Sequence, residues 1–264
     1  MMNISSFTKL EYELYALLVL NRFLPELVPL EGTAKGESPD WQNNSKDFGI
    51  EVVRAESKSD GNAKSFANDY LGKPISEIPK NLLKKVGKRI NESDEHTVGA
   101  VDLFWYNGSI ESSDSDKDSS FAKPIVDCCE HKLKLLNGNF KQFGRNILCI
   151  YLLFSPDVDL ARIICKCYEK RAKQYDVTFS DLFFIGLSSI VYFDCGRRLI
   201  YHCEEVDEID SEKLDGLVHT ISALPVCEDG MIIYDELKKH GIELEEGKAL
   251  PVWRGKDASQ CKNN

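Results

Sequence analysis

Asp40 follows Pro39 at the edge of one short apolar run, and Glu51 stands inside another, Phe48-Gly49-Ile50-Glu51-Val52-Val53-Arg54. A carboxylate within Ile-Glu-Val-Val is costly to bury unless something pairs with it, and a divalent cation is one such partner. Two adjacent strands that each present one carboxylate on the same face make a small hard-oxygen site. Such a site suits Mg²⁺ or Mn²⁺ and phosphodiester hydrolysis, because the cation takes oxygen ligands and acidifies its bound water. The bland alternatives are a turn cap after Pro39 for Asp40 and a solvent-facing strand carboxylate for Glu51.

The elements that must position these groups can be read from periodicity. Thr8-Lys9-Leu10-Glu11 forms a capping box and opens a helix whose Leu10, Leu14, Leu17, Asn21 and Leu24 recur on one face, until Pro25 ends it. Glu11 is explained by the cap, whereas Glu13 falls beside Leu17, Leu20 and Leu24 and is not. Extended runs follow at Leu27 to Leu30, at Asp40-Trp41 entering a turn at Asn43-Asn44, and at Phe48 to Arg54, in the manner of a β-meander. Residues 57–120 read as an insertion, with helical patterns at Phe66 to Leu71 and Ile78 to Ile90 and a strand from Val98 to Tyr106. Its Ser/Asp tract, Ser112 to Ser120, has too little apolar content to fold and reads as a loop.

Pro124 suits the first turn of a helix with Ile125, Cys129, Leu133 and Leu136 on its buried side, stopped by Asn137-Gly138. Ile147 to Phe154 is a continuous apolar run, as expected of a central strand. A helix from Asp159 to Lys173, a strand from Asp181 to Leu187, a hairpin about Asp194-Cys195-Gly196-Arg197 and a short helix near Leu214 to Ala223 complete the expectation.

The Pro39-Asp40 pair, the following Glu51 and this order of elements resemble the PD-(D/E)XK nuclease superfamily, whose fold is that of restriction endonucleases. The resemblance covers roughly residues 8–155 without the insertion. It implies an α/β fold with an αβββαβ core around a mixed central sheet, a core at 8–56 and 121–155, an insertion at 57–120, and a C-terminal α/β elaboration at 156–264, all in one domain. It also implies a metal held by Asp40 and Glu51, with the Val52 carbonyl nearby. Some members of the superfamily add a carboxylate from the first helix, a role that Glu13 fits.

The chain departs from the motif where the family places a lysine two residues after the glutamate. Here that position is Val53. Arg54 is adjacent but points to the opposite face of a strand. Divergent members take the lysine from a neighbouring helix, and Lys132, three residues past Cys129, is the candidate ahead of the more solvent-directed Lys134. A family lysine of this kind orients the attacking water and stabilises developing negative charge. The expectation is therefore a divergent Mg²⁺-dependent nuclease, with Asp40, Glu51 and Lys132 catalytic and Asp40, Glu51 and Glu13 around the metal, acting on nucleic acid with DNA favoured. The alternative is an inactive nuclease-fold protein that binds a protein partner in an immunity or regulatory role.

Bulk properties bound these readings. At 264 residues the chain can bury a substantial core, and 42% apolar and 29% charged residues are ordinary for a globular protein. Its net charge of −10 is unlike the basic face of most duplex-DNA binders, although Lys80 to Arg89 and Arg162 to Lys173 are locally basic. No apolar run is long enough to span a bilayer and no signal-peptide pattern opens the chain, so the expectation is a cytoplasmic protein without a membrane partner. Nine cysteines without a Cys-x-x-Cys pair read as reduced thiols rather than a zinc site. The five histidines show no metal-ligand spacing, and no Gly-rich phosphate loop occurs.

Overall fold

The computed structural model describes residues 8–55, 58–101, 122–152, 156–186, 189–203, 218, 233–239, 241 and 256–257. The elements are α1 (Lys9–Phe23), β1 (Ala34–Lys35), β2 (Trp41–Asn43), β3 (Phe48–Arg54), α2 (Lys58–Tyr70), α3 (Lys80–Val86), β4 (Ile90–Glu92), β5 (Val98–Val101), α4 (Ala122–Leu136), β6 (Arg145–Tyr151), α5 (Val158–Ala172), β7 (Asp181–Ile185), β8 (Ile190–Asp194), β9 (Leu199–Cys203), α6 (Ile233–Lys239) and β10 (Lys256–Asp257). The protein is mixed α/β. It divides into two compact units, one of residues 1–55 and 125–264 and the other of residues 56–124.

The first unit is organised on an eight-stranded sheet in the order β1-β2-β3-β6-β7-β8-β9-β10. Its centre is parallel, with β6 between β3 and β7, and its flanks are antiparallel. The parallel strand β6 is apolar from Ile147 onward and buried from Asn146 to Tyr151, as expected of a central parallel strand. Ile147, Cys149 and Tyr151 alternate towards one face, where they join Ile50, Val52 and the α1 side chains in a single core. By the same alternation Leu148 and Ile150 face the other way.

Thr8 caps α1 with the full capping box: Glu11 N donates to the threonine hydroxyl, and the Glu11 carboxylate accepts from Thr8 N at 2.6 Å. The helix is buried on every side from Glu13 to Leu20 rather than along one face. A helix apolar all round must be enclosed, and Val28, Leu30, Val218, Ile233 and Leu237 belong to the same core that the sheet provides.

Two local expectations need correction here. Leu27 to Leu30 is not a strand, because Pro25 precedes it, Pro29 lies within it, and Leu27 N and Val28 N turn back to Leu24 O. The first strand of the meander is instead β1, paired with β2 through Ala34 opposite Gln42. The helix at 124 starts two residues earlier at Ala122, which still leaves Pro124 in the first turn, where its missing N–H costs nothing.

The second unit has its own small core of Ala63, Phe66, Ile78, Val86 and Val98 under α2, α3 and the β4–β5 ladder. Here α2 begins at Lys58, well before the Phe66 start expected from the sequence, and α3 is shorter than its basic pattern suggested, opening after Pro79 and ending at Gly87. The Ser112 to Ser120 tract and the segment from Glu204 to Asp215 lie outside the described residues, as does most of the expected helix near Leu214 to Ala223. Among the described residues, no helix is long and apolar enough to cross a membrane.

Candidate active site

The site follows from a mismatch in strand lengths. β2 pairs with β3 only from Phe48 to Ile50, with Trp41 opposite Ile50. Extending that register by one residue sets Asp40 opposite Glu51, on the same face of an antiparallel pair. Beyond this point the β3 backbone has no β2 partner. The Asp40 side chain takes the place of the ladder, and its Oδ2 accepts from Val52 N at 2.8 Å. Asp40 is 3% exposed and Glu51 5% exposed, so neither is a solvated strand carboxylate or a simple surface turn cap.

Glu13 enters from α1. Its backbone carbonyl accepts from the indole N–H of the fully buried Trp41 at 3.0 Å, which ties the helix to the start of β2. The Glu13 carboxylate faces two ammonium groups, Lys35 Nζ at 3.0 Å from Oε2 and Lys9 Nζ at 3.3 Å from Oε1. Both lysines also approach Asp40 Oδ1, Lys35 at 3.8 Å and Lys9 at 4.0 Å. Glu13 and Asp40 therefore share the same two counterions.

Lys132 arrives from the other side of the sheet. It lies on α4 beside the buried stripe of Ile125, Cys129, Leu133 and Leu136, and its Nζ is 2.5 Å from Glu51 Oε1. The Phe140 ring lies 5.7 Å from the same ammonium, a cation–π contact that helps hold it inward. Lys134 does not enter the site, since it is an exposed lysine paired with Glu130 on its own helix. His131 is exposed as well.

Three carboxylates and three ammonium groups thus converge at one end of β2. Burial drives the Asp40 carboxyl up from 3.8 to about 7, and the charges of Glu51 and Glu13 add to the rise. The Val52 amide and Lys35 oppose that rise without cancelling it. Burial also raises Glu51, against the direct pull of Lys132. Burial and the Glu13 charge push the Tyr12 phenol up to about 12, so it stays protonated at the margin of this cluster.

Among the described residues, no group of three or more His, Cys, Asp and Glu side chains is arranged to hold a metal ion. Mg²⁺ asks for less than that, because it commonly takes one or two carboxylates and fills its remaining positions with water and substrate phosphate. Asp40 and Glu51 are the two carboxylates that the extended β2–β3 register sets opposite each other. Glu51 Oε2 is buried and has no hydrogen-bond partner among the described residues, an oxygen with spare capacity beside a second carboxylate. Glu13 is less available, being held between Lys9 and Lys35.

Lys9 and Lys35 were not singled out by the sequence reading. Lys9 carries a readable signal, since it precedes Glu13 by one helical turn. Lys35 carries none, because its approach depends on β1 pairing with β2. Cys128, Cys129, Cys149, Cys165, Cys167 and Cys195 have free thiols. No protein-family model, curated protein or solved structure matches this chain.

Proposed function

We propose that this chain is a divergent metal-dependent nuclease of the PD-(D/E)XK type, in which Lys132 stands in for the motif lysine that Val53 replaces. The observation that carries the reading is the Lys132–Glu51 contact at 2.5 Å, which brings an ammonium to the carboxylate face from a different helix. The succession of α1, the β1-β2-β3 meander, α4 and the parallel strand β6 supports an αβββαβ core of the restriction-endonuclease kind.

In this reading Asp40 and Glu51 hold Mg²⁺ or Mn²⁺, which when bound supplies Lewis-acid polarisation of a phosphoryl oxygen and an acidified water. The chain's own groups do the rest. Val52 N fixes the Asp40 carboxylate so that one oxygen stays directed at the site. Lys132, only 16% exposed, offers a desolvated positive charge where negative charge develops on the scissile phosphate, and in such surroundings that charge counts for more than in water. Lys35 neutralises Glu13, so that the pocket of carboxylates does not repel a phosphodiester outright. Nucleic acid is the substrate class, and DNA is the favoured one.

The net charge of −10 favours a second reading, a nuclease scaffold that has lost catalysis and binds a protein partner. Calorimetric titration of Mg²⁺ and Mn²⁺ into the wild type and Asp40→Ala, beside cleavage assays on plasmid and single-stranded DNA, separates the two. Cation binding lost in the variant together with cation-dependent cleavage supports the nuclease. A folded wild type that neither binds the cations nor cleaves supports the scaffold.

A further inference from the structure

The two ammonium groups shared by Glu13 and Asp40 differ in one respect that bears on cation entry. Lys35 is 12% exposed, lies 5.3 Å from the Trp41 ring and also donates to Gly36 O at 3.2 Å. It is built into the fold. Lys9 is 74% exposed, and its ammonium reaches inward from the first turn of α1 to buried carboxylates. Its charge acts on Glu51 as well as on Glu13 and Asp40. With Lys9 in place and all three carboxylates ionised, as above the Asp40 titration at about 7, three ammonium groups match them. With Lys9 turned out to solvent they carry one uncompensated negative charge, and the buried Glu51 Oε2 remains without a donor.

From this arrangement we infer that Lys9 is a removable counterion of Asp40 that sets the affinity of the Asp40–Glu51 site for a divalent cation. This rests on the metal-dependent reading above. A dication entering beside Asp40 meets two ammonium groups already within 4.0 Å of Oδ1, and the added repulsion is relieved by withdrawing the one that can reach water. Withdrawal is easy for a long, mostly hydrated side chain and is closed to Lys35, whose ammonium is enclosed. The site therefore has a resting state satisfied by lysine and a loaded state satisfied by the cation, with Lys9 as the part that moves.

The test is calorimetric titration of Mn²⁺ alone into the full chain as wild type, Lys9→Met, Lys9→Arg and Lys134→Met. Lys134 makes the same kind of i, i+4 pair on an exposed helix face, so its variant controls for loss of one surface charge. Lys9→Met is expected to bind Mn²⁺ about tenfold more tightly than wild type, while Lys9→Arg and Lys134→Met stay close to it. Unchanged or weaker binding in Lys9→Met, with Mn²⁺ still bound by the wild type, overturns the role of Lys9 and leaves the metal-dependent reading standing. Equal tightening in Lys134→Met also overturns it, by showing a general charge effect. If none of the four proteins binds Mn²⁺ while circular dichroism shows all of them folded, the metal-dependent reading fails and this inference falls with it.

Discussion

Lys132 Nζ lies 2.5 Å from Glu51 Oε1 although 81 residues separate the two in the chain. One is on a helix and the other on a strand, and together they form a carboxylate–lysine pair that the strand alone does not contain. The pair is enclosed, with 16% exposure on the lysine side chain and 6% on the glutamate. Removing one partner of such a pair leaves a charge with poor solvation. Lys132→Met should cost about 2–3 kcal/mol of stability, and the double variant Lys132→Met/Glu51→Gln should recover most of that loss. Urea unfolding of the single and double variants measures the coupling directly.

Stability should fall as pH rises from about 4 to about 7. The folded protein keeps a proton on Asp40 up to about 7, whereas the unfolded chain releases it near 3.8. The folded state therefore binds more protons across this window, and the benefit is complete below it and gone above it. Glu51 is shifted in the same direction. Asp40→Asn, which can still accept from Val52 N, should flatten this part of the profile. Thermal unfolding followed across the window in both proteins checks the sign, and an unchanged slope would contradict it.

A cation held by Asp40, as proposed, would compete with the same proton. Mn²⁺ affinity should accordingly rise as pH increases through about 7, and titrations in buffers of different ionisation enthalpy should show proton release on binding. Affinity independent of pH would mean that Asp40 is not a ligand.

Gly49 sits two residues before Glu51 on the same face of β3. A Cβ there would lie 2.6 Å from the Pro39 ring and from the Phe143 ring. Gly49→Ala must push Pro39 away and so displace Asp40 from its place opposite Glu51. The expected cost is about 1–3 kcal/mol, with weakened Mn²⁺ binding, read by denaturant unfolding and calorimetry.

Asp181 provides a contrasting case away from the site. It is fully buried and accepts two bonds from Arg145 at 2.7 Å and one from the Tyr192 hydroxyl at 2.7 Å. Asp181→Ala should destabilise by about 3 kcal/mol through loss of the buried carboxylate's bonds with Arg145 and the Tyr192 hydroxyl, and leave Mn²⁺ affinity unchanged in the folded protein.

Much of this was legible in the sequence because local rules dominate there. The capping box at Thr8, the strand Phe48–Arg54 and the hairpin between β8 and β9 each follow from residues close together in the chain. The burial of Glu51 within Ile-Glu-Val-Val and the inward turn of Lys132 were readable from strand alternation and from the helical stripe at Cys129 and Leu133. Leu27 to Leu30 misled because its apolar content resembles a strand, while Pro29 lacks a ladder donor and Leu27 N and Val28 N bond back to Leu24 O. The burial of α1 on all sides and the position of Lys35 were not legible. Both depend on non-local packing, of α1 within a core shared with Ile233 and Leu237 and of β1 against β2.

The most direct test of the central claim is a Mg²⁺-dependent cleavage assay on single-stranded and duplex DNA, run on wild type, Asp40→Asn and Lys132→Met, each first shown to be folded. The proposed mechanism expects cleavage by the wild type only when the cation is present, abolished by Asp40→Asn and reduced about 100-fold or more by Lys132→Met. A folded wild type that cleaves neither substrate with Mg²⁺ or Mn²⁺, or a Lys132→Met variant that cleaves at the wild-type rate, would contradict it.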